Sequence, residues 1–559
     1  MQYTFISRSV LFIFLLATSL ITAQAQTSAA VTDSLKGWHL ADAGNGFQGI
    51  SINKAYEWLK SNKKKSTQVI VAVIDSGIDT LHEDLKPILW KNPGEIPGNG
   101  MDDDKNGYID DVHGWNFLGN ANGGNVEKDS YEAARVYHGL REKWEGKKVD
   151  RETLSADDRY EYDMWKRAKG EIASNDNGMQ VLMMKRAYLN FVKSDSLLKI
   201  ALGKEIYTGK ELGDFQTDDQ ELKRAKSMIY GLLSANDMLD VTNVDFIKDF
   251  KSYVESEEAK ANASETAPTP YRNQVVNDRY DDIKDKNYGN NNLMVSLDGA
   301  VHGTHVSGII GAVRNNGVGM DGVADNVQIM TLRAVPDGDE HDKDIALAIR
   351  YAVDKGARVI NMSFGKSFSP QKKWVDEAVK YAESKGVLLV HAAGNDAKNL
   401  DTTFNFPTPQ LLDGNRPKNW ITVGASGDPK IGGLTANFSN YGKNEVDVFA
   451  PGVKIWSTVP GTNTYQFLQG TSMASPVVAG LAALIMEYFP TLSATQVKQV
   501  IEQSAKKPGE NVRNPGNGEE VSFTELSRTG GLVNAYEAVK LAATMKGERK
   551  IPTQPKKSF

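Results

Sequence analysis

Gln469-Gly470-Thr471-Ser472-Met473-Ala474-Ser475-Pro476 is the stretch on which the reading of this chain turns. An apolar pattern with helical spacing begins beside it: Val477, Val478, Ala479, Leu481, Ala482, Leu484 and Ile485. Ser472 therefore stands at a helix N-terminus, where backbone N–H groups and the helix dipole favour negative charge. A serine in that position is ordinarily a cap. Two residues upstream favour a chemical role instead. Asp75 lies in Val71-Ala72-Val73-Ile74-Asp75-Ser76-Gly77-Ile78-Asp79, and His302 opens His302-Gly303-Thr304-His305-Val306-Ser307-Gly308. A serine hydroxyl is a weak nucleophile until a base takes its proton, and an imidazole oriented by a third group is such a base.

These three motifs, in the order Asp, His, Ser, resemble those of the subtilases, the subtilisin-like serine proteases. A fourth agrees: His391-Ala392-Ala393-Gly394-Asn395-Asp396 resembles the family's oxyanion-hole segment. The resemblance covers roughly Gly49 to Leu118 and Tyr288 to Ala543. It implies Ser472 as nucleophile, His302 as general base and Asp75 as the group that orients the imidazole. Asn395 and the Ser472 N–H would be the two oxyanion donors. Ser363-Phe364-Gly365 and Ala392-Ala393-Gly394 resemble the walls of the family's primary specificity pocket. Small residues there leave backbone groups open to an extended polypeptide. No charged residue stands in these segments, which points to an apolar or broad preference. The residues alone leave other roles open: Asn395 as a turn residue in αL, Asp75 as a cap or turn residue.

Composition bounds the class. The chain has 559 residues, 40% hydrophobic and 24% charged, with net charge −6; this reads as soluble and globular, with length for a large domain plus additions. No basic patch suggests nucleic acid. With no cysteine, disulfides, thiolate catalysis and cysteine–zinc sites are excluded. Residues 1–25 read as a signal peptide: Arg8, the apolar run Val10 to Ala17, then Ala23-Gln24-Ala25 before the expected cut. The alternative is an uncleaved anchor. No later segment is expected to span a bilayer. The mature protein is expected to be exported, to the periplasm or beyond.

Along the chain, 26–118 reads as the first part of a peptidase domain, 119–279 as a charged helical insertion, 280–545 as the second part and 546–559 as a basic tail. Val69 to Ile74 is an apolar, β-branched run of the kind a buried parallel strand needs. Repeated strand–helix units after Val301 imply a doubly wound, mostly parallel α/β sheet covered on both faces. Subtilases usually carry an inhibitory pro-domain before this strand, and the lead here is too short for one. In the insertion, three helix faces are expected: Met179, Leu182, Met183 and Leu189; Leu222, Ala225, Ile229, Leu232 and Leu233; Phe246, Ile247, Phe250 and Val254. It either controls access to the cleft or is an outgrowth.

Asp102-Asp103-Asp104-Lys105-Asn106-Gly107-Tyr108-Ile109-Asp110-Asp111 reads as an oxygen-ligand loop. Asp102, Asp104 and Asn106 would fill the first EF-hand positions, Tyr108 would offer its carbonyl and Asp110 the ninth ligand. The twelfth position is His113, so a true EF-hand is rejected. A structural calcium loop of another kind is expected, against a solvated acidic turn. The functional expectation is an exported serine endopeptidase. Its rivals are a tripeptidyl-type exopeptidase and a calcium-stabilised binding module with an inactive site.

Overall fold

The computed structural model describes residues 35–550 except 43, 45, 175–177, 236, 237 and 240. The expected signal peptide and residues 551–559 of the basic tail lie outside these. The chain forms two compact units. One spans Ala133–Pro268; the other joins the described residues before Ala133 with those after Pro268.

In the larger unit, α1 (Ile52–Ser61) leads into β1 (Val69–Asp75) and β2 (Gly114–Asn116). The helices that follow are α2 (Glu132–Trp144), α3 (Ala156–Ser174), α4 (Gly178–Leu202), α5 (Gly209–Asp214), α6 (Gln220–Ala235) and α7 (Asn243–Ala261). The chain then continues as α8 (Val301–Gly311), β3 (Val327–Arg333), α9 (Asp342–Asp354), β4 (Val359–Met362), α10 (Lys372–Ser384), β5 (Leu388–Ala392), β6 (Trp420–Ser426) and β7 (Val448–Pro451). A hairpin of β8 (Ile455–Val459) and β9 (Thr464–Leu468) precedes α11 (Thr471–Tyr488), α12 (Ala494–Gln503) and α13 (Ala535–Ala542).

Seven strands form one sheet in the order β2-β3-β1-β4-β5-β6-β7, all parallel. On one side of β1, Val69 to Asp75 pair with Val327 to Arg333; on the other, Val71 to Ile74 pair with Val359 to Met362. Successive side chains point to opposite faces. Val71 and Val73 pack into a core with α1, α8, α11, α12 and α13. Ala72 and Ile74 pack into a second core with α9 and α10. Burial on both faces is why this strand is apolar without alternation. Strand order reverses at β1, and in such sheets ligands bind beyond the carboxyl ends at the reversal. Asp75 is the last residue of β1.

Helix α11 lies inside the molecule: of its 18 residues, Thr471 through Glu487 are all buried. A helix apolar all round belongs in a core. Among the described residues it is the one helix long and apolar enough to cross a membrane, and 94% of it is buried in the fold. By length and apolarity alone this helix was not singled out in the sequence; its apolarity serves the core.

Within the helical unit, Ala225, Ile229, Leu233, Phe246, Phe250 and Val254 form a core as their spacing predicts, joined by Val181, Met184, Phe191 and Leu198 of α4. Met179, Leu182, Met183 and Leu189 are exposed, contrary to expectation. α4 carries apolar residues on several sides, so periodicity alone does not choose the face that α6 and α7 cover. Asp219 caps α6, accepting from the N–H groups of Glu221 and Leu222 at 2.8 and 2.9 Å. Residues 119–132 and 269–279, grouped with the insertion by composition, lie in the larger unit.

Candidate active site

The end of β1 meets the first turn of α8. Asp75 Oδ1 accepts from the Ser76 N–H at 2.7 Å and lies 2.7 Å from His302 Nδ1. Asp75 is 1% exposed, and its other oxygen is buried with no hydrogen-bond partner. A carboxylate against Nδ1 fixes the proton there and leaves Nε2 as the basic nitrogen. The approach depends on Gly303: a Cβ there would lie 2.0 Å from the Gly77 carbonyl oxygen and 3.1 Å from Asp75 Oδ1. Any side chain would push α8, and His302 with it, off the end of the strand.

Ser472 is the second residue of α11. Pro476, four residues on, has no N–H to give to the Ser472 carbonyl. Ser363 fills the vacancy: its Oγ donates to Ser472 O at 2.9 Å, and Ser472 Oγ donates back to Ser363 O at 3.1 Å. Asn361 Nδ2 in turn donates to Ser363 Oγ at 2.9 Å, while Ser475 Oγ donates to Asn361 Oδ1 at 2.8 Å. The serine is thus registered against the end of β4. α8 packs on α11, yet the Ser472 hydroxyl is turned to Ser363 and makes no hydrogen bond to His302. Loose catalytic contacts are common in enzymes without substrate.

Asn395 faces the same helix terminus. Its Oδ1 accepts from the Thr471 N–H at 2.8 Å and from Thr471 Oγ1 at 3.0 Å. With that oxygen engaged, Nδ2 is turned away and finds no acceptor among the described residues; nor does the Ser472 N–H. Gly470, at φ +149°, leaves a space between them: a Cβ there would lie 3.4 Å from Asn395 Nδ2 and 3.6 Å from Ser472 N. Two unsatisfied donors bordering one small space can stabilise an oxyanion.

The model of the subtilase family matches residues 66–518. This chain belongs to the subtilase family. It is therefore a member of a family of serine peptidases. A thermophilic serine proteinase from Bacillus sp. strain AK1 is 41% identical over 239 residues, 43% of this chain and 52% of that protein. Subtilisin DY from Bacillus licheniformis is 40% identical over 218 residues, 38% of this chain and 74% of that protein. Thermitase from Thermoactinomyces vulgaris is 38% identical over 239 residues, 43% of this chain and 74% of that protein. The match thus spans about half the length of the first relative and about three quarters of the other two.

In the subtilase, Ser363, Phe364 and Gly365 continue β4; Ala392 ends the adjacent β5, and Ala393 and Gly394 continue it. The Phe364 ring is in the core, and its carbonyl accepts from His391 Nε2 at 2.9 Å. Gly365 keeps its N–H and C=O without a hydrogen bond among the described residues. Lys366, just beyond, is paired with Glu132 at 2.7 Å and Asp342 at 2.8 Å. Sequence reasoning missed Asn361, Thr471 and Asn440. Asn440 Nδ2 donates to Ala393 O at 2.9 Å, and its Oδ1 accepts from the N–H groups of Asp396 and Lys398 at 3.1 and 2.8 Å, which shapes the loop carrying Asn395. The one visible signal was Asn361, a lone amide inside the apolar strand Val359–Met362.

His305, one turn after His302, is fully buried. Its Nε2 lies 3.0 Å from Ile455 O and 3.1 Å from Gln466 O, tying α8 to the β8–β9 hairpin. Burial pushes this imidazole down to about 3. It does the same to His39, to about 3, and to His391, to about 4. These groups stay neutral when folded and bind protons when unfolded. Their contribution to stability is complete above the ordinary value of 6.5 and is lost as pH falls toward about 3 to 4. Asp344, pushed up to about 6 by burial, works in the opposite sense over a narrower window. Burial also raises Glu340, to about 8, and Glu487, so the histidine contribution is read by difference: the Tm gap between wild type and His391→Asn is expected to narrow as pH drops from 6.5 toward 4. A gap that widens or stays level across that window, followed by circular dichroism, would contradict the assignment.

The carboxylates of the acidic loop accept from the loop's own backbone. Asp102 accepts from the N–H groups of Asn106 and Gly107 at 3.0 and 2.8 Å, and Asp110 from those of Gly98 and Gly100 at 2.9 and 2.5 Å. Asn106 Oδ1 accepts from the Tyr108 N–H at 2.6 Å. Asp104 is paired with the Lys355 ammonium, which also lies 3.4 Å from Asp111. A different trio converges: Glu95, Asp104 and Asp111 each bring an oxygen within 4.8 Å of the others. Glu95 Oε2 is buried without a partner. Burial holds the Glu95 and Asp111 carboxyls above the usual range.

Proposed function

We propose that this chain is an exported serine endopeptidase acting on extended polypeptides through an acyl-enzyme on Ser472. The observation that carries it is the 2.7 Å Asp75–His302 contact beside a helix terminus with two unsatisfied donors. Rotation of the Ser472 side chain to another staggered position turns its hydroxyl from Ser363 to His302. Ser472 Oγ then attacks the substrate carbonyl carbon and its proton passes to His302 Nε2. Asp75 steadies the imidazolium while Asn395 Nδ2 and the Ser472 N–H hold the oxyanion. Collapse breaks the C–N bond, and the leaving amine takes the proton from His302. Water repeats the sequence on the ester and releases the acid. A substrate strand would pair with the open N–H and C=O of Gly365. Export rests on the N-terminal signal pattern, and the mass of the mature N-terminus tests it.

Labelling with a serine-directed fluorophosphonate tests the site, together with mass spectrometry of peptide-library products from wild type and Ser472→Ala. Cleavage within long peptides and loss of both signals in the variant are expected. Cleavage that survives in Ser472→Ala would sink the reading; release of N-terminal tripeptides alone would turn it to an exopeptidase.

Calcium remains part of the proposal, with its place revised. Asp102, Asn106 and Asp110 spend their side-chain oxygens on the loop's own N–H groups. The oxygens that could hold a hard cation are those of Glu95, Asp104 and Asp111. Lys355 is the rival cation there. Chelator is expected to lower Tm and added calcium to restore it by mass action. If Lys355 alone neutralises the cluster, chelator leaves Tm unchanged while Lys355→Met lowers it.

A further inference from the structure

We propose that Lys366 is a positioning residue: it sets the strand end that receives the polypeptide, and it does so through the chain that leads into the helical unit. This rests on the Ser472 and Gly365 readings above. Ser363 abuts Ser472, and Gly365 stands two residues on, about 7 Å along an extended strand. A substrate residue paired with Gly365 is therefore about two residues upstream of the scissile bond. Lys366 comes next. Its N–H donates to Phe406 O at 3.1 Å, and its carbonyl accepts from the Phe406 N–H at 2.8 Å. Its side chain is 2% exposed. The ammonium spends its three donors on Glu132 Oε2 at 2.7 Å, Asp342 Oδ1 at 2.8 Å and Glu340 O at 2.8 Å.

These acceptors have fixed places of their own. Glu132 is the residue before the helical unit, and its N–H donates to Asp339 Oδ2 at 2.8 Å. Asp342 opens α9, and its other oxygen accepts from the Gln371 N–H at 2.7 Å. The same turn of α9 holds the chain that returns from the helical unit. Lys343 is paired with Asp278 at 2.5 Å, and Asp344 with Arg272 at 2.8 Å. None of these four side chains is more than 2% exposed. A turn paired in this way does not yield, so the place of Lys366 follows from it. Methionine at 366 would leave the Glu132 and Asp342 carboxylates buried without their cation, which is strongly unfavourable. The turn and the strand end must then part, and Gly365 moves with its neighbour. Ser363 is held separately, by Ser472 and Asn361, so the nucleophile keeps its register.

The test uses the full chain and two nitroanilides with the same residue before the scissile bond. One carries nothing further upstream and the other carries three more residues, so that only the longer reaches Gly365. Rates are normalised to fluorophosphonate-labelled sites. Lys366→Met is expected to lower the long:short ratio of kcat/KM by about ten- to a hundredfold, through KM on the long substrate with kcat kept. Glu132→Gln, which keeps the shape and removes one charge, should move the ratio the same way. A ratio unchanged in labelled Lys366→Met overturns the proposal. So does an equal loss on both substrates, which would make the lysine merely structural. If Lys366→Met fails to fold, Glu132→Gln decides: an unchanged ratio there, or loss of labelling there too, overturns the proposal. Absence of labelling at Ser472 in wild type overturns the Ser472 reading itself, and this proposal with it.

Discussion

Ser472→Ala is expected to lower kcat on a peptide substrate by on the order of 10⁶-fold, and His302→Ala by a similar factor; these are losses measured for such triads, subtilisin's among them. Neither residue does anything useful without the other, so the double variant should be no worse than either single one. Asp75→Asn should lose on the order of 10⁴-fold. Asparagine keeps the shape and the acceptor that holds Ser76 N–H and His302 Nδ1, both at 2.7 Å. It removes the negative charge that stabilises the imidazolium. All three variants should melt close to wild type, because the changes are small and sit at the rim of the core. His305→Ala should behave in the opposite way, with a lower Tm and catalysis largely kept, since its ring bonds two backbone carbonyls of the hairpin. If His305→Ala is dead and His302→Ala active, the two histidines have exchanged roles.

The second large effect is expected at Asn395. Asn395→Ala should cut kcat by about 10²- to 10³-fold, about 2.7–4 kcal/mol of transition-state stabilisation, with KM nearly unchanged. The donor contributes when the carbonyl oxygen gains charge, which is why kcat carries the loss. Gly470→Ala should fall in the same range by a different route. Its methyl would enter the space 3.4 Å from Asn395 Nδ2 and 3.6 Å from Ser472 N, where the oxyanion would sit. Steady-state kinetics on one chromogenic peptide separates the two parameters. A variant that raises KM and spares kcat would mean that Asn395 binds substrate and does not stabilise the oxyanion.

The α/β sheet was legible because burial on two faces leaves an unmistakable mark: Val69 to Ile74 is apolar at every position. Val359–Met362 and Ala494–Gln503 could be placed to the residue for a related reason, since turn residues and charges bracket them. β2 was not legible. Three residues, Gly114-Trp115-Asn116, are too few to show a period. The β8–β9 hairpin was missed because its second strand faces outward and carries mixed polarity. The four site motifs could be read from local sequence, whereas the groups that hold them could not. Asn361 reaches Ser475 across 114 residues and Asn440 reaches Ala393 across 47, and nothing near either announces the partner. The acidic loop shows the converse. Its spacing suggested ligands, and the same carboxylates also satisfy the turn's own N–H groups, a use that spacing alone does not reveal.

Helix α11, enclosed on all sides with Ser472 on its first turn, has a consequence for how the molecule fails. A residue on a loop can be displaced by local fraying while the rest of a protein stays folded. Here Ser472 is continuous with an enclosed helix of the larger unit. Amide protons from Val477 to Ile485 should therefore exchange with solvent only through global opening of that unit. Loss of activity on heating should track that opening and show no earlier phase. Durability at high temperature then becomes a rate problem, set by the barrier to opening the sheet and helix together. Substitutions that slow this opening anywhere in the larger unit should lengthen the active lifetime, however far they lie from the serine.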